Sequence, residues 1–124
     1  MVPQLTPHEL HERLGRGEKP FILDVREGWE LAICQMPGAT HVPMRQIQQR
    51  AAELPRDTEI VVMCHHGVRS QHVAQYLQQL GFEKLLNLAG GIADGIEARG
   101  MRHGWRDYAF AAWSRDVDPH TPTY

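Results

Sequence analysis

Four consecutive apolar residues, Ile60-Val61-Val62-Met63, run without a polar break into Cys64. A strand with water on one face alternates apolar and polar residues. One that is apolar at every position is covered on both faces, as in a parallel sheet sandwiched between helices. Phe21-Ile22-Leu23-Asp24-Val25 and the stretch from Leu85 to Leu88 are further short apolar runs with the character of buried strands. Between them the spacing becomes helical. Thr6-Pro7-His8-Glu9 supplies a capping residue, a proline at the first helical position and a glutamate at the third, with Leu5 and Leu10 placed as a staple. A helix therefore starts near Pro7 and stops at Gly15. From Met44, the residues Ile47, Ala51 and Leu54 recur at three and four, which predicts an amphipathic helix ending before Pro55. Val73, Leu77 and Leu80 mark one face of another helix, which begins beyond Ser70 and ends at Gly81. Strands alternating with helices across short loops predict an α/β fold: an open, mostly parallel sheet flanked by helices on both faces.

A chain of 124 residues has room for one domain built on one core. Its net charge of −2, with histidines neutral, excludes a generally basic nucleic-acid binder. No apolar run approaches the roughly 18 residues that a membrane span needs, and MVPQLTPHEL lacks the basic-then-apolar layout of a secretory signal, so a cytoplasmic protein is expected. Cys34 and Cys64 are too few for a disulfide framework and suit a reduced compartment with a reactive thiol.

Ligands of parallel sheets bind at the carboxyl ends of the strands. Two loops fall there: Asp24-Val25-Arg26-Glu27, and Cys64-His65-His66-Gly67-Val68-Arg69-Ser70. A cysteine between a strand end and a helix start sits among unpaired backbone N–H groups, which stabilise an anion such as a thiolate. Gly67 lets the backbone curl with positive φ, so that successive N–H groups converge on the sulfur as a nest. Arg69 adds a permanent charge; at roughly 4 Å and an effective dielectric near 20, a unit pair is worth about 4 kcal/mol before desolvation. The competing reading is a buried, inert cysteine, which needs neither the glycine, the arginine nor the helix start. His65 and His66 lie in a loop whose backbone carries the binding, so their side chains are expected to face outward. A metal site is not expected: Cys64, His65 and His66 are adjacent and do not converge on one ion, and no C-x2-C or H-x3-H element completes a set. His8-Glu9-Leu10-His11-Glu12 is not the H-E-x-x-H zinc motif and reads as a solvated helix face.

VVMCHHGVRS resembles the active-site loop of the rhodanese family, and LDVREGWELAICQMPGATHVPM is similar to that family's DVRE…PGA…P segment. Gly90-Gly91 after a strand and the tail AAWSRDVDPHTPTY also resemble it, so the likeness covers most of residues 4 to 92 and 111 to 124. The family's fold agrees with the one read from periodicity. The resemblance implies a sulfurtransferase: a small anionic sulfur donor such as thiosulfate gives a sulfane sulfur to Cys64, and the persulfide passes it to cyanide or to a protein or small-molecule thiol. No cofactor, nucleic acid or membrane is implied. Cys64 is then the nucleophile, the N–H groups of His65, His66, Gly67, Val68 and Arg69 cradle the anion, and the Arg69 charge neutralises donor and persulfide together. Asp24 and Arg26 are expected to support the loop through bidentate bonds between carboxylate and guanidinium at adjacent strand ends, and Ser70 is a further supporting residue.

The chain departs from the family in two places. Cys34-Gln35 stands where glycine commonly precedes histidine, which raises the idea of a resolving thiol opposite Cys64, although bridging needs Cα atoms within about 7 Å. Residues 94–110 form an atypical insertion of about 17 residues within the single domain spanning 1–124. Glycines at 95, 100 and 104 disfavour one continuous helix there, while Trp105, Tyr108, Ala109, Ala112 and Trp113 recur at helical spacing. Two other functions compete. Related phosphatases and arsenate reductases separate cysteine and arginine by five residues; the four here, His65 to Val68, suit a single sulfur better than a tetrahedral phosphate. A binding module without turnover is the non-enzymatic alternative.

Overall fold

The computed structural model describes residues 2–33, 36 and 38–92. Cys34, the insertion at 94–110 and the tail from 111 to 124 lie outside the described residues, and so do the expectations placed on them.

Five strands form one sheet: β1 (Gln4–Leu5), β2 (Phe21–Asp24), β3 (Thr40–His41), β4 (Ile60–Met63) and β5 (Leu85–Leu88). Their order is β1-β5-β4-β2-β3 and every neighbouring pair is parallel. The helices are α1 (Pro7–Gly15), α2 (Gly28–Ile33), α3 (Ile47–Arg50) and α4 (Val68–Gln79). The all-apolar β4 lies at the centre, as two-sided burial demands, with Val61 and Val62 both wholly buried. Its alternation divides the core. Ile60, Val62 and Cys64 pack with Ile47 of α3 and Val73 and Leu77 of α4, while Val61 and Met63 pack with Leu10 of α1 on the opposite face. Each fully buried side chain of this kind contributes roughly 1.5–3 kcal/mol.

Local signals explain the ends of α1. Thr6 accepts a hydrogen bond from the Glu9 amide at 3.1 Å, and the Glu9 carboxylate accepts from the Thr6 amide at 2.8 Å, so two otherwise unpaired donors are satisfied. Elsewhere the structure differs from the periodicity. The span from Met44 to Leu54 is not one helix: 3-10 turns at Met44–Gln46 and Ala51–Glu53 flank the single turn of α3. A spacing of three is one turn of 3-10 helix, so Met44 to Ile47 and Ala51 to Leu54 fit the two 3-10 turns, while the spacing of four from Ile47 to Ala51 fits α3. α4 begins at Val68, ahead of Ser70 rather than beyond it, because Gly67 with φ +97° ends the preceding loop at once. Residues 28–33, where the spacing predicts no element, form α2, and the two-residue strands β1 and β3 are too short to show a period. His8 and Glu12 face solvent as expected, but His11 is half-buried, with its Nδ1 atom buried. No helix among the described residues is long and apolar enough to cross a membrane.

Candidate active site

β4 delivers Cys64 to the α4 side of the sheet, and the chain turns into α4 within three residues. Cys64 is 1% exposed. Its Sγ accepts from the Gly67 amide at 3.0 Å and from the Ser70 amide at 3.4 Å, and the Ser70 hydroxyl lies at 3.3 Å. Of the backbone donors expected to surround the sulfur, that of Gly67 is therefore in place, and that of Ser70, one residue past the expected run, joins it. Gly67 is required twice over. Its φ is in the left-handed region, and a Cβ there would stand 2.9 Å from the Gly90 amide nitrogen. A Cβ on Gly91 would overlap the carbonyl oxygens of Cys64 and His65, and the Ile92 amide donates to the Cys64 carbonyl at 3.0 Å. The Gly90-Gly91 pair is thus the wall against which the cysteine loop is seated.

Asp24 and Arg26 meet, as the family resemblance implied. Arg26 is wholly buried and donates through Nε and Nη2 to the Asp24 carboxylate at 3.0 and 2.8 Å, while the Arg26 amide donates to Asp24 Oδ1 at 3.1 Å. The Arg26 carbonyl is bonded to His41 Nε2 at 2.7 Å, which ties the loop to β3. In register, Asp24 stands beside Met63, the residue before Cys64.

Arg69 is engaged by a residue that the sequence reading did not single out. Its two Nη atoms each donate to a carboxylate oxygen of Glu30 at 2.7 Å, and Glu30, itself 5% exposed, also accepts from the Glu27 amide at 2.8 Å. The Arg69 hydrogen bonds hold the Glu30 carboxyl down at about 2, against burial, with the Glu27 amide assisting. Above an ordinary carboxyl value of 4.5 the stabilisation from this arrangement is complete, and it is lost as pH falls towards 2. Glu30→Gln is therefore expected to lower the urea midpoint of unfolding clearly at pH 7, with the gap from wild type narrowing between pH 4.5 and 2. A gap independent of pH would exclude this ion pair as its source.

His66 is exposed, as expected, but His65 is half-buried and its ring meets that of His66 edge-on at 4.0 Å between centroids. Burial, then the neighbouring His66, lowers the His65 value, so the ring is neutral at neutral pH. Val68 is exposed and Ser70 buried. Asn87 of β5, 2% exposed, was also missed: it accepts from the Ser70 hydroxyl at 2.5 Å and donates to the Gly67 carbonyl at 3.2 Å. Its signal was present, since it is the one polar residue in Leu85-Leu86-Asn87-Leu88. Among the described residues, no three His, Cys, Asp or Glu side chains gather in a way that could hold a metal ion.

Comparison with known proteins adds to this geometry. A family model described as a rhodanese-like domain matches residues 6–98. The chain is 37% identical over 92 residues to a sulfurtransferase of Allochromatium vinosum, covering 74% of this chain and 86% of that protein. It is 30% identical over 98 residues to the thiosulfate sulfurtransferase GlpE of Actinobacillus pleuropneumoniae, covering 79% and 89%. A solved structure, a rhodanese-related protein from Thermoplasma volcanium, matches with a TM-score of 0.72 at 29% identity, covering 78% of this chain and 93% of that one.

Proposed function

Because this chain belongs to the rhodanese-like sulfurtransferase family, we propose that it carries a sulfane sulfur from a small anionic donor such as thiosulfate to a thiophilic acceptor through a persulfide on Cys64. The observation that carries this reading is the pair of amides, Gly67 and Ser70, aimed at Sγ from 3.0 and 3.4 Å. Fixed N–H dipoles favour negative charge on the sulfur and need no reorganisation when it forms.

In the first half-reaction the Cys64 thiolate attacks the outer sulfur of thiosulfate. The donor S–S bond breaks, its electron pair leaves on sulfite, and Cys64 holds an S–S− group. In the second, cyanide or a thiolate attacks the outer sulfur, the new S–S bond breaks, and its electron pair returns to Sγ. Atoms, charge and electron pairs balance in both steps, so neither step needs an external oxidant or reductant. Burial of Cys64 fits this use. A bulky acceptor has poor access to Sγ itself, whereas the sulfur added to it stands about 2 Å farther along the S–S bond. Arg69 sits at the start of α4 with Glu30 as its counter-ion, so an anionic donor shares a guanidinium that is already oriented. Asp24 and Arg26 act as support.

Intact-mass measurement tests the reading. Incubation with thiosulfate is expected to add about 32 Da, one sulfur, to the protein, and cyanide to remove it with release of thiocyanate. An unchanged mass, together with tight binding of a protein partner, would favour a non-catalytic binding module instead.

A further inference from the structure

The Ser70 hydroxyl lies between Cys64 Sγ, at 3.3 Å, and the Asn87 side-chain oxygen, at 2.5 Å. It has one proton, and the direction of that proton decides whether the hydroxyl supports or opposes charge on the sulfur. The surrounding amides settle the direction. Gln4 donates through Nε2 to the Val2 carbonyl at 3.2 Å and to Gln71 Oε1 at 2.7 Å, which turns Gln4 Oε1 towards Asn87. Asn87 in turn donates through Nδ2 to Gln4 Oε1 at 2.8 Å and to the Gly67 carbonyl at 3.2 Å. Backbone carbonyls only accept, so flipping either amide would set oxygen against oxygen. Asn87 Oδ1, which has no proton, is left facing Ser70, and the hydroxyl donates to it. The hydroxyl's lone pairs therefore face Sγ, where they accept from S–H and repel a thiolate.

We infer that Asn87 is a positioning residue for Cys64: by holding the Ser70 proton on its own oxygen, it keeps the hydroxyl an acceptor and favours the protonated thiol over the bare thiolate. Turning the hydroxyl to the sulfur would break the 2.5 Å bond and leave two buried oxygens facing each other. The amides of Gly67 and Ser70 favour the anion and the Ser70 hydroxyl opposes it, so the reactivity of the thiol is a balance with Asn87 on one side. This rests on the reading of Cys64 as the reactive thiol. The thiolate attacks in the first half-reaction and leaves in the second, so the same hydroxyl restrains both. The charged and titratable groups around the loop, namely Asp24, Arg26, Glu30, His41, His65, His66 and Arg69, are unchanged in every variant below.

Asn87→Leu is nearly isosteric and isolates this effect. The Gly67 carbonyl keeps the Gln71 amide at 3.2 Å, the exposed Gln4 oxygen meets water, and only the Ser70 hydroxyl loses its acceptor and turns to the sulfur. Iodoacetamide alkylation of Cys64 is followed against pH. Its half-maximal pH is expected to fall by about one unit in Asn87→Leu, equivalent to about tenfold faster labelling below the midpoint. Asn87→Asp keeps an oxygen on Ser70 and adds negative charge, so its midpoint is expected to rise, whereas simple loosening of the loop would move both variants the same way. In a Ser70→Ala background Asn87→Leu should produce no further shift. A midpoint that stays or rises in Asn87→Leu, or a shift that persists without Ser70, overturns the inference. If Asn87→Leu does not fold, Ser70→Ala decides: removal of an opposing acceptor lowers the midpoint, and a rise would show that the hydroxyl donates to sulfur. Alkylation reads the thiol without any sulfur transfer. A protein showing these shifts but taking no sulfur from thiosulfate would refute the proposed function and leave the role of Asn87 standing.

Discussion

Cys64→Ser is expected to abolish sulfur uptake from thiosulfate and to lower the rate of thiocyanate formation by a factor on the order of 10³ or more, with the fold intact. A serine hydroxyl cannot form a persulfide, and its oxygen stays protonated at neutral pH. The substitution is otherwise mild. Serine still offers an acceptor to the Gly67 and Ser70 amides, and the exchange removes little volume from a site that is already closed, so the cost in stability should be no more than about 1–2 kcal/mol. Circular dichroism and urea unfolding check the fold, intact mass checks sulfur uptake, and thiocyanate release checks turnover. Retention of turnover by the serine variant would remove Cys64 from the reaction. Loss of turnover accompanied by loss of the fold would instead assign Cys64 to the core, where it packs beside Val62 and Val73.

Much of this arrangement was legible because it depends on local chemistry. The unbroken apolar run of β4 places that strand at the centre of the sheet, and its two-residue period puts Cys64 on the face that α4 covers. Gly67 is readable because the sharp turn beneath the sulfur needs a left-handed residue with no Cβ. The Asp24–Arg26 pair was legible through the likeness of Asp24-Val25-Arg26-Glu27 to the rhodanese segment. Glu30 was hidden: its partner Arg69 is 39 residues away, and α2, which carries it, is a six-residue helix without enough length to show a period. Asn87 was visible as a polar residue in an apolar strand, but its purpose appears only when β5 is seen beside β4 and Asn87 stands opposite Val62, within reach of Ser70. Side-chain pairs that close across the sheet depend on strand order, and strand order is a property of the assembled core.

The buried Asp24–Arg26 pair carries the second large effect. Asp24→Ala deprives a wholly buried guanidinium of its bidentate carboxylate, and breaking a buried pair from one side costs about 3–5 kcal/mol, a large share of the roughly 5–15 kcal/mol that holds a domain folded. The damage should reach the thiol, because Asp24 is registered beside Met63 and the Val25 amide bonds to the Met63 carbonyl at 3.0 Å, immediately before Cys64. Removing both charges is a different experiment. An apolar pair of similar volume is often neutral or stabilising, so Asp24→Leu with Arg26→Met is expected to be at least about 2 kcal/mol more stable than the sum of the two single losses predicts. Urea midpoints of the three variants measure that coupling, and strict additivity would show that the two residues do not act as a pair. Sulfur uptake then separates support from chemistry. If the pair only braces the loop, a double variant that folds like wild type should load sulfur on Cys64 at a rate within a few fold of wild type. A well-folded double variant that loads sulfur 100-fold more slowly would mean that the Arg26 charge acts on the donor itself, a loss of the size seen when a transition-state charge contact is removed.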